Sequence, residues 1–248
     1  MINELKELKI KTVIGVDEVG IGCLAGPVVA CAVFIDEKIM EEIERIQNMG
    51  FKINDSKLLE ENERLFSSMI LKEKVKYKIG MIDVEEINKD NNIHKSSEKA
   101  KIMAIEELLK EIGNPPDKIL LDGDAKHFKK IIDIYKNAYP VIKGDSKYYS
   151  IASASILAKE YRDLYMCFLA EEYDKYNLQF NKGYCTPDHI DAIKRYGLSN
   201  EIHRYFARKF DVNNTNPSQQ NNNNNNKKYK KYKKFKKYKF WKFYGKRR

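Results

Sequence analysis

The stretch TVIGVDEVGIGCLAGPVVACAVFI, residues 12–35, holds two apolar runs parted by a glycine-rich break. Thr12 to Asp17 reads as a short buried strand, and Val28 to Ile35 as a second one, with Pro27 punctuating its start. Further on, Lys57 to Leu71 has apolar residues at helical spacing (Leu58, Leu65, Ile70), and a third strand follows near residues 75–84. Ser96 to Ile112 predicts a helix with Ile102, Ile105, Leu108, Leu109 and Ile112 on one face, ended by Gly113, Asn114, Pro115 and Pro116. Ile119 to Leu121 is a short strand running into Asp122, and Tyr139 to Ile142 another. Ser146 to about Tyr173 reads as a long helix; Pro187 opens a last one, stopped by Gly197 after Tyr196. Strands first, then strand and helix in alternation, predict an α/β fold: a mixed sheet flanked by helices.

The chain of 248 residues is 42% hydrophobic and 33% charged, which suits a globular protein with a sizeable core. Its net charge of +10 is concentrated at one end. Residues 213–248 carry 13 Lys/Arg and no Asp/Glu, which leaves residues 1–212 with 33 basic and 36 acidic side chains, a net of −3. Cys23, Cys31, Cys167 and Cys185 show no paired spacing, which argues against a disulfide scaffold or a zinc site and for reduced thiols. Residues 1–11 lack the apolar core of a signal peptide, and the longest apolar run, 23–35, is too short to span a bilayer. The expectation is a soluble cytoplasmic protein with no membrane partner.

Acidic residues stand where strands end. Asp17 and Glu18 close the first strand, Asp122 a later one, and Asp145 follows Tyr139–Ile142 after Lys143-Gly144. Sites in α/β sheets form beyond the carboxyl ends of strands, so these acids have a place to converge; the alternative is that each is a solvated turn residue. Glu18 precedes Val19-Gly20-Ile21-Gly22, a turn able to bring backbone amides close to a ligand. Consecutive strand residues face opposite ways, so for both acids to serve one site the strand must end or bulge at Glu18. Clustered carboxylates raise one another's pKa, and divalent cations resolve the conflict. Oxygen-only ligation suits Mg²⁺ or Mn²⁺, and two such ions about 4 Å apart are an apparatus for phosphodiester hydrolysis.

VIGVDEVGIGCLAGPVV, NDSKLL, LLDGDA, VIKGDSKYYSIASASILAKEYRD and NKGYCTPDH with HRYFA resemble, in order, the signature blocks of ribonuclease HII over roughly residues 12–206. The resemblance implies a ribonuclease H-like fold with a five-stranded mixed sheet and a C-terminal helical portion. It implies an endoribonuclease that acts on RNA·DNA hybrids or at ribonucleotides embedded in duplex DNA, as in ribonucleotide excision during DNA replication and repair, and leaves 3′-hydroxyl and 5′-phosphate ends. Asp17, Glu18, Asp122 and Asp145 match the family's metal-binding carboxylates: Asp17 would bridge two ions, Glu18 and Asp122 complete one site, and Asp145 the other. The family reads the ribose 2′-hydroxyl with the turn Gly20-Ile21-Gly22 and with a tyrosine matching Tyr184. Two departures stand out, Ile21 where the family usually has arginine and Cys185 where it commonly has proline.

Ser56, Lys57, Lys143 and Lys147 are either substrate-phosphate contacts or solvated loop charges. His189, His203 and Arg204 match family positions and are read as structural, His94 and His127 have no motif support, and Cys23 and Cys31 are expected to pack beside the first strands. Ribonuclease HIII shares the scaffold but carries an extra N-terminal domain, for which Asp17 stands too close to Met1; a catalytically silent nucleic-acid-binding protein on the same fold is the rival from another class. The expected organisation is a monomeric catalytic domain over 1–212, an Asn-rich disordered linker over 213–226 and a Lys/aromatic tail over 227–248. In the tail Tyr229, Tyr232, Phe235, Tyr238, Trp241 and Tyr244 recur at every third position. In an extended polyproline-II-like chain they would form one stripe that stacks on bases while lysines follow phosphates; a merely solvated basic tail and a membrane-surface contact are the alternatives.

Overall fold

In a computed structural model, which describes residues 1–212, the two opening runs pair as an antiparallel ribbon of β1 (Thr12–Val19) and β2 (Val28–Asp36). The linker 213–226 and tail 227–248 lie outside the described residues. β3 (Lys76–Ile82) adds antiparallel to β2, while β4 (Lys118–Asp122) and β5 (Ala138–Val141) add in parallel on the other side of β1. The order β3-β2-β1-β4-β5 is the mixed five-stranded sheet expected from the sequence.

Around it lie α1 (Glu4–Leu8), α2 (Glu37–Asn48), α3 (Glu61–Lys74), α4 (Val84–Asp90), α5 (Ile93–Ile112), α6 (Lys129–Ile134), α7 (Tyr149–Ala170), α8 (Leu178–Asn181) and α9 (Pro187–Tyr196). Side-chain alternation divides the sheet between two cores. Val13, Cys31, Val33 and Leu120 pack with Ile151, Ala154 and Leu157 of α7, while Ile14, Val16, Ala32 and Leu121 pack with Ile105 and Leu108 of α5. The small residues of α7, from Ser150 to Ser155, let the helix lie close on β1. At Gly15 the approach is so close that a Cβ would overlap the Ser150 backbone.

Three expectations change. β1 does not end or bulge at Glu18, because antiparallel pairing with β2 continues through Glu18↔Ala30 and Val19↔Val29. The helix expected at 57–71 starts at Glu61, where Glu60 and Glu63 form a capping box, and its inner face is not the apolar one. Leu58 and Leu65 are exposed, while Arg64, Ser67, Ser68 and Leu71 face inward; Arg64 reaches Glu160 at 3.7 Å and Asp163 at 3.5 Å on α7. The long helix begins at Tyr149, since Gly144–Ser146 form a separate 3-10 turn. Among the described residues no helix is long and apolar enough to cross a membrane.

Candidate active site

The parallel register sets the site. Val16 pairs with Leu121, so the next residues on each strand, Asp17 and Asp122, stand side by side at the carboxyl end of the sheet. Both belong to the α7 face, since Val13 and Leu120 do and the strands alternate. β5 pairs Val141 with Asp122, and the 3-10 turn after it brings in Asp145. One carboxylate oxygen from each of Asp17, Asp122 and Asp145 lies within 4.8 Å of the others.

Each carboxylate is held by what the chain places around it. Asp122 Oδ1 accepts from the backbone amides of Gly144 at 2.7 Å and Asp145 at 3.3 Å. Asp17 accepts from the Glu18 amide at 2.7 Å and from the Ser155 hydroxyl, and Ser155 Oγ lies 2.9 Å from Ser56 Oγ. Lys57 Nζ stands 3.7 Å from Asp145 Oδ2. Burial first, then Glu18 and Asp122, push the Asp17 carboxyl well above the ordinary carboxylate range. Burial and then Asp145 raise Asp122 to about 6, and burial followed by Asp55 raises Asp145. Three acids that resist ionisation together fit a divalent cation with oxygen ligands: bound charge would stabilise all three as carboxylates.

Glu18 takes the other face of the sheet. Its Oε2 pairs with Nζ of Lys101 on α5, a lysine with 1% of its surface exposed that also touches Ser97 Oγ at 2.9 Å. The charge of Glu18 still acts on Asp17 and Asp122. The remaining sequence candidates divide. Ser56 is buried against Ser155, and Lys147 Nζ is engaged by Glu7 at 3.1 Å and the Tyr148 hydroxyl at 2.7 Å, whereas Lys57 and Lys143 are exposed.

Gly20 ends β1 with φ +95°, a conformation L side chains rarely adopt, and a Cβ there would overlap Arg162 Nε. Beyond it Ile21 is half-buried and Gly22 exposed. Gly183, next to Tyr184, folds onto the same segment: its carbonyl accepts from the amides of Leu24 at 2.8 Å and Ala25 at 3.2 Å. The Tyr184 ring lies 5.2 Å from Lys159 Nζ, and burial, then Cys23, raise its hydroxyl to about 12.

His189 and His203 form a neutral buried pair. His189 Nδ1 donates to the Tyr184 carbonyl at 2.8 Å, which leaves its Nε2 to accept from His203 Nε2 at 3.3 Å; His203 Nδ1 then accepts from the Ser199 amide at 3.0 Å. Burial and then His189 pull His203 down to about 3. His94 and His127 stack with ring centroids 4.3 Å apart. Cys23 and Cys31 are fully buried beside the first strands, and the four cysteines are free. Sequence reasoning passed over Lys101, Ser155 and Arg162. Ser155 and Arg162 sit inside the block VIKGDSKYYSIASASILAKEYRD, where polar groups in an otherwise apolar helix are the available signal.

Comparison with known proteins gives the family and the fold. The family model described as Ribonuclease HII matches residues 14–211. A ribonuclease HII of Christiangramia forsetii is 40% identical over 202 residues, 81% of this chain and 91% of that protein. The crystal structure of the ribonuclease H2 from Pyrococcus horikoshii OT3 superposes with a TM-score of 0.64 at 28% identity, covering 81% of this chain and 97% of that one. Bst-RNase HIII in complex with Mn²⁺ superposes with a TM-score of 0.68 at 19% identity over 81% of this chain and 69% of its own, a likeness of fold.

Proposed function

The chain belongs to the ribonuclease HII family and is a ribonuclease, and from that premise we propose that it cleaves the RNA strand of RNA·DNA hybrids and incises at single ribonucleotides in duplex DNA, leaving 3′-hydroxyl and 5′-phosphate ends. One observation carries this reading: the oxygens of Asp17, Asp122 and Asp145 converge within 4.8 Å at the end of the sheet. We assign these three to hold two divalent ions, Mg²⁺ or Mn²⁺; Glu18, on the other face and paired with Lys101, joins them only by turning away from that lysine. When bound, such ions supply a more acidic water and charge stabilisation for the leaving 3′-oxygen.

The chain's own groups do the rest. The Gly144 and Asp145 amides and the Ser155 hydroxyl hold the carboxylates in place, so little reorganisation is needed when charge develops. The amides of Ile21 and Gly22 and the Tyr184 hydroxyl are the donors for a 2′-hydroxyl, the group that separates ribose from deoxyribose. Lys57, at the mouth beside Asp145, and the exposed Lys143 lie where backbone phosphates would run. With Ile21 in place of arginine the turn contributes backbone contacts alone. We place the protein in the cytoplasm, a reading supported by four free cysteines, with residues 1–212 as its catalytic domain, supported by the family match over 14–211, and propose that it acts as a monomer.

The test uses three end-labelled duplexes: all-DNA, one embedded ribonucleotide, and a long RNA·DNA hybrid, each with Mg²⁺ and with Mn²⁺. Cleavage is expected on both ribose-containing duplexes and absent on all-DNA. Asp17→Asn should lower the rate by at least ~10²–10³-fold, the scale of losing a preorganised charge-stabilising group; cleavage that survives in this variant would overturn the mechanism.

A further inference from the structure

The segment between β1 and β2 turns its carbonyl oxygens inward, onto two guanidinium groups. Arg204 donates to the carbonyls of Gly20, Ile21 (3.1 Å), Gly26 (2.9 Å) and Pro27 (2.9 Å). Arg162 donates to Ala25 at 2.9 Å and Pro27 at 3.0 Å, and its remaining nitrogen donates to the Lys182 carbonyl at 2.8 Å. The two side chains are 0% and 1% exposed, and neither meets a carboxylate among the described residues. Burying a cation against neutral carbonyls is costly, and arginine's planar fork is the side chain able to hold several at once.

The consequence follows from peptide planarity. Peptide N–H and C=O point opposite ways in a trans unit, and the chain has no cis bonds among its described residues. With the Gly20 and Ile21 carbonyls drawn inward, the amides of Ile21 and Gly22 point out, and neither donates to another described residue. Arg162 does more than hold this turn. Its Lys182 bond fixes the residue before Gly183, and its Cζ lies 5.7 Å from the Tyr184 ring centroid. One side chain therefore packs against Gly20, bonds the segment just behind the turn and stands over the Tyr184 ring, so it borders both pieces of the ribose reader, which are far apart in sequence.

We propose that Arg162, backed by Arg204, is a positioning residue that sets the spacing between the glycine turn and Tyr184 and so the discrimination of ribose from deoxyribose. This rests on the 2′-hydroxyl reading given under Proposed function. It needs no contact between Arg162 and substrate.

The experiment compares the full chain with Arg162→Lys, which keeps the charge but replaces the fork with a single ammonium. Two constants are measured: KM for a duplex with one ribonucleotide, and the inhibition constant of the matching all-DNA duplex in the same reaction. Neither depends on the fraction of protein that is folded. The expected result is an all-DNA constant within about 2-fold of the parent, with KM for the ribonucleotide duplex raised, and so the ribose preference lowered, about tenfold or more, the scale of a small misplacement of positioning groups. A preference equal to the parent's, with only melting temperature or kcat reduced, would make Arg162 a structural brace and overturn the proposal. If Arg162→Lys yields no active protein, Arg204→Lys, which grips the turn alone, must show the same loss of preference; a retained preference there also overturns it. A parent chain that does not favour the ribonucleotide duplex would instead sink the reading of the site itself.

Discussion

Three carboxyl groups packed at the end of a sheet oppose the fold when no cation neutralises them. Asp122, raised to about 6 by burial and Asp145, binds its proton more tightly in the fold than in the unfolded chain, where an Asp titrates near ~3.9. Its contribution to stability is therefore present below about pH 4 and lost as pH climbs through about 6. Above that the metal-free protein carries repelling charges, and a divalent ion has both the charge to neutralise them and no proton to displace. Millimolar Mg²⁺ should raise the melting temperature clearly at about pH 8 and far less at about pH 5; at a hundredfold excess over Kd the gain is ~2.7 kcal/mol, or about 5–10 °C for a domain of this size. Calorimetry showing equal shifts at both pH values would place the ions elsewhere. At this scale Asp17, Asp122 and Asp145 could be read from the sequence because each stands near the carboxyl end of a strand. The orientation of Glu18 could not: it depends on Lys101, on a helix over eighty residues later, and on β2 pairing through Val19.

Helix α7 carries Ser155 and Arg162 and follows Asp145, yet the residue at its N-cap, Tyr148, provides no side-chain cap. The cap comes from the far end of the chain. Glu4, fully buried in the five-residue α1, accepts from the amides of Tyr149 at 3.1 Å and Ser150 at 2.7 Å. A carboxylate at a helix N-terminus satisfies orphan amides and faces the positive end of the helix dipole. Glu4→Ala should cost about 2–4 kcal/mol, more than an exposed cap, because two buried amides lose their acceptor; Glu4→Gln should recover part of it. Urea unfolding decides the matter, and a loss under ~0.5 kcal/mol would mean that water replaces the carboxylate. Elements show the same division as residues. The strands and α5 announce themselves by period, whereas α1, α4, α6 and α8 are at most seven residues long, too short to display one. α2 has the spacing, with Met40, Ile43 and Ile46 buried, but its start is hidden because Asp36 is both the last residue of β2 and the cap of the helix. On α3 the apolar period pointed outward, since Arg64 turns inward to acids on α7 that local sequence does not reveal.

At the scale of the whole molecule, the five strands can be read from the sequence but their order comes from the structure, and the joining of residues 20–27 with 183 and 204 spans most of the described chain and rests on two arginines rather than on any local pattern. Charge is divided just as unevenly. Residues 1–212 carry a net of −3 while residues 213–248 carry 13 cations and no acid, so the part that holds the acidic centre must meet a polyanion while all of the chain's net positive charge lies outside it. Phosphate neutralisation releases counterions, and log K falls with log salt at about 0.9 per phosphate engaged on duplex DNA. If half of the tail's cations engage the duplex, deleting residues 213–248 should reduce that slope by about 6 and raise KM at moderate salt, while kcat stays nearly unchanged because the carboxylates all lie before residue 213. KM titrated against salt for the full and shortened chains measures the slope directly. An identical slope would mean that the tail takes no part in substrate binding, and that attraction to the backbone comes from lysines of the folded domain such as Lys57 and Lys143, whose substitution should then flatten it.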